Sequence, residues 1–160
     1  MLLRVLPLVL GFGLASSSQA TPPSPSDHRG VIDGALEPDR LPETTVWDNV
    51  FAALYDLTGG KTDPGDRQVR SFIKGTLFVS DGDATIILRR VAAVRSQISE
   101  IERAGEAAHP DDWAPFREQT DRAILAARDD ILDKLSPAGK KALLRWVAVV
   151  KQGMTHGSDE

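Results

Sequence analysis

Ala84, Ile87, Val91, Val94, Ile98 and Ile101 recur in alternating steps of three and four residues. Such steps place every apolar side chain on one stripe of an α-helix; a strand, which alternates every second residue, does not reproduce them. Ile and Val are mediocre helix formers, so packing accounts for their use here. Arg89, Arg90, Arg95, Glu100, Glu102 and Arg103 lie between them and read as the solvated face. The spacing predicts a helix from about Asp83 to Ala104. Its stripe must be covered by other elements, and the rest of the chain offers helices to cover it.

A first helix is predicted from Thr45 to Leu57, with Trp47, Val50, Phe51 and Leu54 at helical spacing, a Thr45–Asp48 capping box and Gly59-Gly60 as its stop. A second is predicted from Pro64 to Phe78, with Asp63 as cap and Val69, Phe72, Ile73, Thr76 and Leu77 on one face. Ser80-Asp81-Gly82-Asp83 then breaks the chain and caps the next helix. A fourth helix is predicted from Trp113 to Lys134, capped by Asp111 or Asp112, with Phe116, Thr120, Ile124, Ala127, Ile131 and Leu135 facing inward. Ser136-Pro137 is a restart signal, with serine as cap and proline at the first helical position. The fifth helix runs to about Gln152 with Leu143, Trp146, Val147 and Val150 on one face, and Gly153 ends it. Strand signals are nearly absent. Short connections between amphipathic helices predict antiparallel neighbours, so the expected fold is all-α, a small antiparallel bundle of about five helices preceded by a Pro-rich arm.

Residues 1–20 have the pattern of a secretory signal peptide, removed on export: Arg4 as the positive region, an apolar run from Val5 to Ala15, and Ser18-Gln19-Ala20 before the cleavage point. The run is shorter than the ~20 residues a membrane span needs, and no second candidate follows, so no membrane insertion is expected after cleavage. The expected location is periplasmic or secreted. Residues 21–42 form a Pro-rich arm or linker carrying Pro22, Pro23, Pro25, Pro38 and Pro42. Its apolar group, Val31, Ile32 and Leu36, leaves two readings for Val31–Leu41, a flexible tether or an extended arm laid over the domain. Residues 43–153 form the helical domain, and 154–160 a frayed polar tail.

Several chemistries are excluded by composition. The chain has no cysteine, which removes disulfides, zinc–thiolate sites, thiol catalysis and a cysteine-linked lipid anchor. The formal net charge of −4 becomes one unit more negative once Arg4 is lost, a poor match to nucleic acid, and no basic amphipathic face for an anionic membrane stands out.

No catalytic constellation survives scrutiny. His28 lies in the arm, His156 in the tail, and His109 in a turn before Pro110. Ser71 and Lys74 match a Ser-x-x-Lys pattern, but Ser80-Asp81-Gly82 and Lys61-Thr62-Asp63 do not complete a penicillin-binding signature. Asp63, Asp66, Asp81 and Asp83 lack EF-hand spacing and read as helix caps. Asp129, Asp130 and Asp133 read as a solvated face that answers Arg89, Arg90 or Arg95. Trp47, Trp113 and Trp146 read as core. No catalytic, cofactor-binding or metal-ligating residue is assigned, and no cofactor is expected.

Ile32-Asp33-Gly34, Pro38-Asp39-Arg40-Leu41-Pro42-Glu43, Ala127-Arg128-Asp129 and Leu135-Ser136-Pro137-Ala138-Gly139 with Trp146-Val147 together resemble a group of small, exported, all-helical bacterial proteins. That resemblance implies a helical fold and an envelope location, and no activity. Leu135 to Gly139 also resembles the Leu-Thr-x-x-Gln signature of periplasmic Spy-type chaperones, with Ser136 for the threonine and Gly139 for the glutamine.

The expected function is therefore non-enzymatic: an exported protein-interaction or scaffold module, with a protein partner or self-association. The alternative is a periplasmic chaperone holding unfolded clients. A heptad stripe wholly consumed inside the domain implies a monomer; exposed Ile98 and Ile101 imply a dimer.

Overall fold

A computed structural model describes residues 31–109 and 111–157; the expected signal peptide and the first part of the expected arm lie outside the described residues. The elements run β1 (Val31–Asp33), α1 (Glu43–Leu57), α2 (Arg67–Leu77), α3 (Asp81–Ala108), α4 (Ala114–Lys134), α5 (Pro137–Gln152) and β2 (Thr155–Gly157). The fold is a five-helix bundle with one small ribbon.

The stripe on α3 organises the core. Ala84, Ile87, Val91, Val94 and Ile98 are buried, as is Leu88 beside them. α3 packs along α4 and also meets α1 and α2, while α1 bridges to α4 and α5. Val50, Phe51, Leu54, Ile73, Ile131 and Leu143 close the core from the other helices. The stripe is an internal seam as far as Ile98; Ile101, half-buried, lies past the core. Arg90 and Lys134 both pair with Asp130, and Arg128 joins Glu43 at 2.5 Å, tying α4 to α3 and to the start of α1.

Helix boundaries depart from expectation where turn chemistry wins. α1 starts two residues early: Pro42 is its cap, no side chain caps it, and the Pro42 carbonyl accepts from Val46 N–H at 3.0 Å. α2 starts at Arg67 instead of Pro64. Asp63 spends its carboxylate on Gly65 N–H at 2.7 Å and its carbonyl on Asp66 N–H, closing a turn with Pro64 inside it. Asp66 then caps the helix through Gln68 and Val69 N–H at 2.8 and 3.3 Å. α3 runs on to Ala108, because Gly105 stays helical beneath Trp113 and Phe116: a side chain at 105 would strike both rings. Two expected core residues face out. Phe72 is exposed because Val69, Ile73 and Leu77 already fill the inward stripe of α2, and Trp113 lies half-exposed across Gly105.

The largest correction concerns the ends. The expected frayed tail is ordered from Met154 to Gly157: Met154 is buried and β2 pairs antiparallel with β1, Val31 opposite Gly157 and Ile32 opposite His156. Of the two readings of Val31–Leu41, the structure has the arm laid on the domain, with Ile32 and Leu41 in the core. Gly34 makes this possible. Its N–H donates to the Met154 carbonyl at 2.9 Å, and a Cβ there would run into the Lys151 carbonyl oxygen. The helical domain of residues 43–153 is thus extended by the ribbon at both ends. Three-residue strands carry no periodicity of their own, which is why only the fold reveals them.

Candidate functional site

Asp83 is the one buried charged or polar residue among the described residues, 3% exposed. It is the third residue of α3, whose cap Ser80 takes the Asp83 N–H at 3.0 Å and donates its hydroxyl to Asp83 Oδ2 at 2.7 Å. The same carboxylate reaches α5. Ser136 N–H donates to Oδ1 at 2.8 Å and Ser136 Oγ donates to Oδ2 at 2.7 Å, while Ser136 Oγ accepts Gly139 N–H at 3.0 Å. In an ordinary capping box the third residue of a helix reaches back to its own cap. Here that residue in α5 is Gly139, which has no side chain, and Asp83 supplies the carboxylate from a different helix. The positive ends of two helix dipoles converge on one anion.

Burial pushes the Asp83 carboxyl up, but the Ser136 amide, the Ser80 and Ser136 hydroxyls and the Ser80 amide together outweigh it and hold the pKa below the usual carboxylate value. The group is ionised at neutral pH and fully engaged by donors. Each serine hydroxyl gives its proton to Asp83 and takes a helix N–H, an arrangement that holds two helices rather than poising a nucleophile.

The other residues weighed from sequence are scattered. Ser71 and Lys74 are both on the exposed side of α2. His109 is exposed as the left-handed C-cap of α3, φ 44°, its N–H shared between the Gly105 and Glu106 carbonyls. Asp130, rather than Asp129 or Asp133, answers Arg90, and Asp129 pairs with its neighbour Arg128. Arg95 answers Asp48 at 3.8 Å and lies over the Tyr55 ring. Asp66 caps α2 in place of the expected Asp63, which closes the turn before it.

The feature that stands out is the outer face of α2. Phe72 is 48% exposed and Phe78 is 85% exposed. Ser71 and Gly75 flank Phe72 on the exposed side of α2, and a Cβ on Gly75 would meet no atom within 4 Å, so the surface beside that ring is open. Phe78 is the C-cap of α2 at φ 57°, its N–H donating to Lys74 O. A left-handed residue at a helix end is ordinarily glycine or asparagine; for other residues it costs about 1–2 kcal/mol. Val79, next in line, is buried, so this turn places Val79 in the core and sends the Phe78 ring into solvent. An aromatic ring is therefore held outward in a conformation that glycine would adopt at lower cost. The sequence did carry a sign of Phe72, since Val69, Ile73, Thr76 and Leu77 complete a stripe without it. No signal marked Phe78, because phenylalanine has no left-handed preference.

Neither a protein-family model, nor a curated protein, nor a solved structure matches the chain.

Proposed function

We propose that this chain is an exported, non-catalytic helical module that binds an apolar segment of another protein through the outer face of α2. The observation that carries the reading is Phe78, a large apolar ring displayed to solvent from a left-handed turn. Exposed aromatic rings set beside small residues are what a docking protein needs: they bury much area for little side-chain entropy. The chemistry of the interior supports a non-enzymatic role, since the one buried charge among the described residues is spent on fastening α3 to α5. The signal-peptide pattern of residues 1–20 supports export.

The test is site-specific photo-crosslinking in the native envelope, with a photoreactive phenylalanine analogue at position 78 and a control at exposed Asp133. One dominant partner captured at 78 and not at 133 is the expected result. N-terminal sequencing of this chain, purified from the same envelope, should begin at Thr21. The same adducts from both positions would overturn the assignment of the face. A broad spread of unrelated envelope proteins at 78 would overturn the dedicated-partner reading in favour of a chaperone.

A further inference from the structure

Against the expectation that no basic amphipathic face stands out, α5 carries one. Between Pro137 and Gln152 it carries Lys140, Lys141, Arg145 and Lys151 and no acidic residue, in a chain of net negative charge. Among the described residues none of these four has a carboxylate within ion-pair distance; every ion pair formed involves other cations. On a helical projection Leu144 and Ala148 run between Lys140 and Lys151 on one side and Lys141 and Arg145 on the other. Leu144 is 42% exposed and Val149, at the edge, 60%. Lys151 donates to the Pro38 carbonyl at 3.4 Å and Lys140 borders a cleft with Asp129, Asp130 and Asp133, so the free basic edge beside the apolar strip is Lys141 and Arg145, which fits a partner that is acidic and apolar.

The same chain carries such a surface. α3 and α4 extend beyond the core as a two-helix hairpin: between Ser99 and Arg122 the only buried described residue is Gly105. The tip is strongly acidic, with Glu102, Glu106, Asp111, Asp112 and Asp121 against few cations. Its apolar part is a groove of about 270 Å³ in which Trp113, 39% exposed, and Phe116 sit beside Ile101. The two surfaces match in sign of charge and in possessing an apolar strip.

We propose that the outer face of α5 docks the acidic α3–α4 hairpin tip of a second copy of this chain. The contact joins two different surfaces, and a reciprocal pair, each α5 against the other copy's tip, closes as a twofold dimer. This rests on charge placement on α5 and the hairpin and is independent of the reading of α2.

Charge reversal tests it. Lys141→Glu with Arg145→Glu makes an acidic α5; Glu102→Lys with Glu106→Lys makes a basic tip. All four positions are exposed, and a cation at position 106, in the last turn of α3, suits the helix dipole, so both variants should fold, as circular dichroism will verify. In sedimentation velocity at low salt the unaltered protein should dimerise at micromolar concentration and weaken as salt is raised. Each variant alone should associate at least tenfold more weakly, and an equimolar mixture of the two should regain association, because each α5 then meets a tip of opposite charge. The proposal is overturned if the unaltered protein stays monomeric up to roughly 100 µM, weaker than specific association warrants, or if the mixture fails to recover. Binding to phosphatidylglycerol vesicles that the α5 variant alone loses, without self-association, would overturn it in favour of a lipid surface.

Discussion

Gly139 leaves room for Asp83: a Cβ at position 139 would lie 2.5 Å from the Asp83 carboxyl carbon and 2.6 Å from Oδ2. The absent side chain is what allows a carboxylate from α3 to serve as the missing third residue of α5. Gly139→Ala should push the carboxylate off Ser136 and leave the Ser136 amide unpaired. A loss on the order of 2–4 kcal/mol is expected in urea unfolding, far from the slight gain alanine gives in an ordinary helix. A neutral or stabilising result would show that the carboxylate can be moved without cost.

The acid limb of stability should trace to Asp83. Its folded pKa lies below the unfolded one, so its contribution is present above the unfolded value of about 4 and is lost as pH falls through the folded value. Asp83→Asn keeps the size and removes the charge. The gap in unfolding free energy between the two proteins should be largest at neutral pH and should shrink steadily below about pH 4. A gap that stays constant down to pH 2 would mean that the charge does not stabilise the fold.

Gly34→Ala should detach the arm while sparing the bundle. Its Cβ would collide with the Lys151 carbonyl, yet Val50, Phe51 and Leu143 are buried by the helices themselves. Limited proteolysis should cut between Val31 and Leu41 in the variant well before it cuts the unaltered chain, with helical circular dichroism retained.

Phe78→Gly separates stability from binding. Removing the left-handed strain should raise stability by about 1 kcal/mol in a thermal or urea melt, while partner capture through α2 falls. A destabilised variant would mean that the ring packs on the protein and is not displayed.

Val94→Asp probes the α3 seam. Val94 is 1% exposed, so an unpaired carboxylate there should unfold the domain outright, with loss of the helical signal. A folded variant would contradict the seam's place in the core.

What was legible in the residues was what is local. The α3 stripe and the Ser136-Pro137 restart each depend on side chains within a turn or two, and each is where the pattern put it, although α3 starts at Asp81 behind a Ser80 cap, two residues before the expected Asp83. What was not legible depends on contacts across the chain. Asp83 looks like any acidic residue in a first helical turn, and nothing near it announces Ser136, 53 residues away. Gly139 and Gly105 did carry a sign: a glycine inside a helix costs about 1 kcal/mol and usually has a packing reason. The reasons, a carboxylate and an indole, came from other elements. In the candidate site Phe72 was counted into the inward stripe and faces out instead, because Val69, Ile73 and Leu77 fill that stripe without it, and Phe78 required the backbone angle.

The β1–β2 ribbon has a mechanical consequence. The strands are antiparallel and Val31 lies opposite Gly157, so the first residue of β1 and the last of β2 sit one strand spacing apart. Tension between those two points meets the ribbon first and opens it one hydrogen bond at a time, as a zipper opens from its end. The helical seam is not in the line of that force until the ribbon has parted. The ribbon thus acts as a weak link placed ahead of a stronger one, and a load reaches the bundle only after it has yielded.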